Sequence, residues 1–198
     1  YESTNYADLR IVAINDLADI GNLAHLTRYD STHGRFLGEV EQGDGELMVS
    51  GDAIRVSQQA DVANLRWNDL EIDLVMECSG AFTDRETAQI HLANGAKRVL
   101  FSQPADSDVD ATLVYGINHE TLAHDATIIS NASCTTNCIV PVLKAFDEVF
   151  AIAHGVNTTI HSAMNDQPVI DSYHHQGELC QGSFCVSAFK VLSIKNHV

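Results

Sequence analysis

Ala126-Thr127-Ile128-Ile129-Ser130-Asn131-Ala132-Ser133-Cys134-Thr135-Thr136-Asn137-Cys138 is the stretch from which the rest of the chain is read. Residues 126–129 are uncharged and partly β-branched, the signature of a short buried strand. After Cys138, the apolar residues Ile139, Val142, Leu143, Phe146, Val149 and Phe150 recur at helical spacing, with Lys144, Asp147 and Glu148 on the opposite face. The spacing therefore predicts a strand that turns into a helix at Cys134. Pro141 must fall in the first turns of that helix or kink it, because proline lacks the N–H that a helix interior requires.

The same alternation continues upstream. Ile72-Asp73-Leu74-Val75-Met76-Glu77-Cys78 is nearly continuously apolar, as expected of a strand covered on both faces, and it runs into the turn Ser79-Gly80-Ala81-Phe82. Thr83 or Asp84 caps a helix that extends through Asn94 and stops at Gly95. Arg98-Val99-Leu100-Phe101 is the next strand, closed by Ser102-Gln103-Pro104, and Thr112–Gly116 reads as another. Nearer the start, Leu9–Ile14 is a strand ending at Asn15-Asp16, and Leu17, Ile20, Leu23 and Leu26 mark a short helix. Residues 37–57 read as short strands, with Gly43 and Gly45 in a hairpin turn. Tyr1-Glu2-Ser3 resembles the end of a helix. Strand and helix in alternation predict a doubly wound α/β domain built on a parallel sheet, whose strand-end turns bind ligand.

Composition narrows the function. A net charge of −16 opposes nucleic acid and anionic membrane as partners. No apolar run approaches the roughly 18 residues of a bilayer span, and the first residues show no secretory pattern. The five cysteines, at 78, 134, 138, 180 and 185, are an odd number without framework spacing, which predicts reduced thiols in a cytoplasmic protein.

Two residues carry candidate chemistry. A cysteine at a helix N-terminus meets unpaired N–H groups and the positive end of the helix dipole, which favour the thiolate; a free cysteine is otherwise often a buried packing residue. His161 follows the alternating run Val156-Asn157-Thr158-Thr159-Ile160, so it is expected near the end of a strand. A thiolate nucleophile needs an imidazole brought to it by the fold; alone, a strand histidine is more often a satisfied structural residue. A metal site drawn from Cys134, Cys138, His161, His174, His175, Cys180 and Cys185 lacks zinc-ligand spacing, and no metal is expected. Cys138, one helical turn beyond Cys134, reads as a packing residue.

Ser130–Cys138 followed by Thr158-Thr159-Ile160-His161 closely resembles the active-site region of the glyceraldehyde-3-phosphate dehydrogenase family. The continuation from His161 through Asn165-Asp166-Gln167-Pro168-Val169-Ile170-Asp171-Ser172-Tyr173-His174 looks like its erythrose-4-phosphate dehydrogenase branch. The resemblance covers about residues 1–175. It implies an incomplete Rossmann-type doubly wound parallel sheet over residues 1–133, an α+β catalytic domain beginning at residues 134–175, and a divergent tail over 176–198. It also implies NAD as cofactor and a cytoplasmic homo-oligomer, tetrameric in the family. Cys134 would be the nucleophile, His161 the base, and Ser133, Cys134 and Thr135 the substrate contacts. Asp16, Ser79, Gly80, Phe82 and Ser102 would face the cofactor. The implied reaction is oxidation of D-erythrose 4-phosphate, a phosphorylated aldose, to 4-phosphoerythronate in pyridoxine and pyridoxal phosphate synthesis. The alternatives are the phosphorylating glyceraldehyde-3-phosphate activity, or an inactive fragment of either.

The chain also departs from this pattern. A Gly-rich turn is expected about 20 residues before Asp16, and no G-x-G-x-x-G occurs in the sequence. Missing the first strand would leave the parallel sheet with an unpaired inner edge. Ala60 stands where the family usually carries an arginine, and no arginine follows Arg98 to bind a substrate phosphate bidentately. The expectation for residues 176–198 is out-of-frame translation or a spurious gene end.

Overall fold

The computed structural model describes residues 8–31 and 33–160, together with the backbone of residues 191–196. The expected helix end at Tyr1–Ser3 lies outside the described residues. The chain opens with β1 (Leu9–Asn15), the helix α1 (Ile20–Arg28) and a hairpin of β2 (Tyr29–Asp30) and β3 (Gly34–Arg35). Asp19 caps α1, its carboxylate accepting from the Asn22 N–H at 3.0 Å. A meander follows, β4 (Val40–Gln42), β5 (Glu46–Val49) and β6 (Asp52–Ser57), antiparallel throughout. Its first turn is closed by Gly43 N–H donating to the Glu46 carbonyl, and its second requires left-handed backbone at Ser50 and Gly51.

Beyond two short 3-10 turns come β7 (Leu74–Glu77), α2 (Arg85–Ala93), β8 (Val99–Phe101), β9 (Ala111–Thr112), β10 (Ile128–Ser130) and α3 (Cys134–Phe150). Asp84 caps α2 through the Thr87 N–H, and Gly95, with φ of 111°, ends it, as the sequence leads one to expect. Of the expected strand over Thr112–Gly116 only Thr112 is in a strand, as the second residue of β9. The Asn118 amide accepts from Val114 N–H and donates to the Thr112 carbonyl, which folds the intervening residues into a turn. Asn157–Ile160 form no strand either; Val156 and Ile160 are 98% and 97% exposed, because no ladder partner lies beside them among the described residues.

A nine-stranded sheet runs β4-β5-β6-β1-β11-β7-β8-β10-β9. β6 and β1 are parallel, as are β7, β8, β10 and β9. The chain leaves β1 toward β6 and leaves β7 toward β8, so the strand order reverses between β1 and β7. That central position holds β11 (Val191–Asn196), antiparallel to both neighbours. The expected unpaired inner edge is therefore filled, and part of the segment read as a divergent tail is a sheet strand. The reason is that the inward-facing main-chain groups of β1 and β7, in a sheet with an apolar core on each face, need ladder partners. The fit has an irregularity in register between Ile11 and Ala13.

Two cores cover the two faces. On one, Trp67, Leu65 and Val62 with Ala88 of α2 pack on Val75, Val99, Phe101 and Ile128. On the other, Ala24 of α1 packs with Val40, Leu47, Val49 and Ile54. Asp110 ties the far side together: it pairs with Arg85 and accepts from the N–H groups of Thr127 at 2.8 Å and Ile128 at 2.9 Å.

Replacing Ser193 with proline removes a main-chain donor from the middle of a strand paired on both sides, so the melting temperature is expected to fall clearly; an unchanged value in a thermal scan would place β11 outside the folded sheet. The Arg85 ion pair, followed by the Ile128 and Thr127 N–H groups, holds the Asp110 carboxyl well below its ordinary range. A depressed folded-state value gives stability that is complete above the unfolded value near pH ~4 and is lost as pH falls below it. Asp110→Asn is thus expected to lose about 2 kcal/mol at pH 7 and to show a shallower decline than the parent between pH 5 and pH 2, measured by urea denaturation.

Candidate active site

The pairing register sets the geometry of the site. Ser57 lies opposite Asn15, Asn15 opposite Val191, Val191 opposite Glu77, Glu77 opposite Phe101, and Phe101 opposite Ser130. These residues form one row, and the parallel strands all end just beyond it. The turns that follow them therefore share one edge of the sheet, at the point where the strand order reverses. In open α/β sheets this is where ligands bind.

Cys134 stands at the end of this row. β10 is fully buried, and the Ser130 hydroxyl donates to the Gln103 carbonyl at 2.9 Å while accepting from the N–H groups of Ala105 and Ala132, both at 3.2 Å. Ala132 then takes left-handed backbone, φ 57°, a conformation that costs a residue with a Cβ about 1 kcal/mol or more. Asn137 holds the bend from the helix side, its amide donating to the carbonyls of Asn131 at 2.7 Å and Ser133 at 3.0 Å. Ser133 is the N-cap, accepting from Thr136 N–H at 2.9 Å, and Cys134 is the first residue of α3 and exposed. The sharp, strained turn thus presents the cysteine at the positive end of a 17-residue helix.

A cavity of about 400 Å³ opens beside it, lined by Cys134, Thr135, Cys138, Ile139 and residues Asn157–Ile160. The fold thus brings the segment immediately preceding His161 to the cysteine; His161 itself lies outside the described residues. Cys138 is exposed on this cavity and not a packing residue as expected, because a helix face is buried only against an opposing layer. Among the described residues the apolar side of α3, with Phe146, Val149 and Phe150, is likewise exposed. Pro141 is well inside the helix, leaving the Asn137 carbonyl without its helical donor.

The residues expected to face a cofactor sit along the same edge. Asp16 follows β1, is 1% exposed, and accepts from Ala18 N–H at 2.9 Å. Ser79, Gly80 and Phe82 follow β7, and Ser102 follows β8. Gly80, at φ 72°, is exposed with open space around its Cα, so backbone can approach a ligand closely there. The Gln103 amide donates to the Phe82 carbonyl at 2.8 Å and joins the two turns. His33 is exposed and paired with Asp30. Among the described residues no group of three or more His, Cys, Asp or Glu side chains is arranged for a metal ion. Nor, among the described residues, is any helix long and apolar enough to cross a membrane.

The site contains features that sequence reasoning missed. The strain at Ala132 has no composition signal, since alanine is not a residue that favours positive φ. The amide of Asn137 was legible as polar but not as a lock on the bend. Asn15, buried, accepts from Gln59 N–H and Ser57 Oγ and donates to the Gln59 carbonyl, fixing the turn after β6 against the end of β1.

A reversed strand order with a row of turns at its carboxyl edge defines a Rossmann-like NAD-binding domain, here carrying a cysteine at the start of the helix that follows its last strand. Residues 2–85 match the family model of the glyceraldehyde 3-phosphate dehydrogenase NAD binding domain, and residues 133–186 that of the glyceraldehyde 3-phosphate dehydrogenase C-terminal domain. The chain belongs to the glyceraldehyde-3-phosphate dehydrogenase family, with NAD as its cofactor. The second match runs to residue 186, past His174, where the motif resemblance ends, and so takes in part of the segment expected to be divergent.

Ser133→Ala removes the cap and is expected to cost about 1 kcal/mol, read from chemical denaturation, with more rapid proteolysis at the start of α3 than elsewhere.

Proposed function

We propose that the chain carries the catalytic centre of an NAD-dependent oxidation of D-erythrose 4-phosphate to 4-phosphoerythronate, with Cys134 as nucleophile and His161 as base. The observation that carries the reading is the position of Cys134: first residue of α3, held out by the strained turn at Ala132, and sharing its cavity with residues 157–160. On this reading, residues 1–133 form the NAD-binding domain and Cys134 opens the catalytic one.

The Cys134 thiolate, favoured by the helix N-terminus, attacks the aldehyde carbon, forming a C–S bond and a thiohemiacetal. His161 takes the hydroxyl proton as hydride departs, leaving a thioester. Bound NAD⁺ supplies the hydride acceptor. On this reading the backbone N–H of Cys134 stabilises the developing oxyanion, and Ser133 and Thr135 flank the substrate. Water then cleaves the thioester and releases the acid. The residues present fit the adenosine half of NAD: the open turn at Gly80, the Ser79 and Phe82 backbone beside it, and Ser102 on the next strand. Asp16 would accept from the ribose once its covered side chain is reached.

The choice of the four-carbon substrate rests on the Asn165–His174 segment, which lies outside the described residues. The same chemistry supports the phosphorylating oxidation of glyceraldehyde 3-phosphate, with phosphate in place of water. A cytoplasmic homo-oligomer serving pyridoxine synthesis completes the reading. A specific observation favours a second reading, in which this chain is inactive alone: β11 occupies the central strand position, from which the pyrophosphate-binding turn of such sheets arises.

Cys134→Ser is expected to abolish formation of the thioester, while His161→Asn slows it and leaves a thiol that iodoacetamide still labels. Stopped-flow detection of NADH with erythrose 4-phosphate, and in parallel with glyceraldehyde 3-phosphate plus phosphate, measures both. Persistent turnover in Cys134→Ser would refute the assignment.

A further inference from the structure

Glu77 ends β7 as a fully buried charged residue, 0% exposed, in a position the proposed chemistry does not use. Both of its polar ends are engaged with the ligand-binding edge. Its Oε1 accepts from Ser79 N–H at 2.7 Å, and its main-chain carbonyl accepts from Ser102 N–H at 3.0 Å. One residue thus fixes the two turns that follow β7 and β8. Behind it, His91 of α2 is also 0% exposed, and its Nε2 lies 3.6 Å from Glu77 Oε2. Neither atom has another hydrogen-bond partner among the described residues. The Trp67 indole N–H donates to His91 Nδ1 at 3.0 Å. An indole nitrogen only donates, so Nδ1 must be the acceptor and Nε2 carries the hydrogen that faces Glu77.

We propose that Glu77 is a positioning residue for the adenosine half of the dinucleotide, its carboxyl group oriented through His91 by Trp67. This rests on the reading that the Ser79–Phe82 and Ser102 turns hold that half. A carboxyl group buried against an imidazole is weak as a source of stability, and well-packed apolar side chains of the same volume would serve a purely structural role equally well. What an apolar pair could not do is hold Ser79 N–H while leaving the neighbouring backbone at Gly80 open. Ser79 passes the constraint on, its hydroxyl accepting from Ala81 N–H at 3.1 Å.

The relay makes a prediction that simple packing does not. In Glu77→Gln, the amide oxygen still accepts from Ser79, but its NH₂ group then faces the hydrogen on His91 Nε2. If the imidazole changes tautomer to accept from it, the new hydrogen on Nδ1 meets the Trp67 N–H. One bond must break, and the turn shifts. Adding Trp67→Phe removes the second conflict and allows the other tautomer. Isothermal titration with NAD and with AMP is therefore expected to show binding weakened about tenfold in Glu77→Gln, as for loss of one hydrogen bond to a charged group. In Glu77→Gln/Trp67→Phe, affinity returns to within about threefold of the parent. Trp67 is the single tryptophan of the chain, and its emission is expected to shift in Glu77→Gln.

If Glu77→Gln does not fold, the pair His91→Gln and His91→Leu replaces it: the Gln amide reaches the Nε2 position and keeps affinity, and Leu loses about tenfold. Parental affinity in folded Glu77→Gln, no recovery in the double variant, or equal affinities in the two His91 variants overturns the proposal. A parent chain that binds AMP but not NAD leaves the adenosine test intact and is read with AMP alone. A parent that binds neither overturns the underlying reading and the proposal with it.

Discussion

Main-chain pairing across the middle of the sheet is the constraint on which the rest of this structure depends. β1 and β7 each face inward with a row of N–H and carbonyl groups, and both strands contribute to the apolar cores on the sheet's faces, so these groups call for ladder partners. β11 supplies them, antiparallel to both, and joins the half-sheet carrying α1 to the half-sheet carrying α2. Without a strand there, the two apolar clusters would belong to two separate small sheets, and the alignment of Asn15 with Glu77 would be lost.

That alignment concentrates the polar chemistry on one edge. Because the parallel strands end in a common row, the turns after β1, β7, β8 and β10 are neighbours although they are far apart in sequence. The buried polar residues of the fold gather there too: Asn15, Asp16, Glu77, Ser79 and Ser130 are each nearly inaccessible and each holds a backbone group of an adjoining turn. Burying such groups is unfavourable unless they are paired, and here the pairing converts that demand into rigid turns. Cys134 uses the same device. Ser130, Asn137 and the Ser133 cap hold the left-handed bend at Ala132, which aims the first turn of α3 outward.

Where sequence reasoning succeeded, the signal was local. The run Leu74–Glu77, the Asp84 cap with Gly95 as stop, and the passage from Ile128–Ser130 into α3 depend on side chains within a few positions of one another, and each element is found as expected. Where it failed, the outcome depended on a distant partner. Thr112–Gly116 has strand composition, yet the Asn118 side chain draws it into a turn. Val156–Ile160 alternates as a strand should, yet has no ladder beside it among the described residues. Cys138 has the spacing of a core residue, yet its helix face meets no opposing layer there.

The sequence by itself determined the alternation of strands and helices, the place of Cys134 at a strand-to-helix junction, and the family whose motif surrounds it, because periodicity, caps and short motifs are properties of adjacent residues. Only the tertiary structure decided that β11 occupies the centre of the sheet, that Ala132 bears the strain of presenting the cysteine, and that Trp67, His91 and Glu77 form one buried relay. Each of those is set by hydrogen-bond partners that the chain brings together from remote positions. A residue's own chemistry fixes what it can pair with, and the fold alone fixes with what it does.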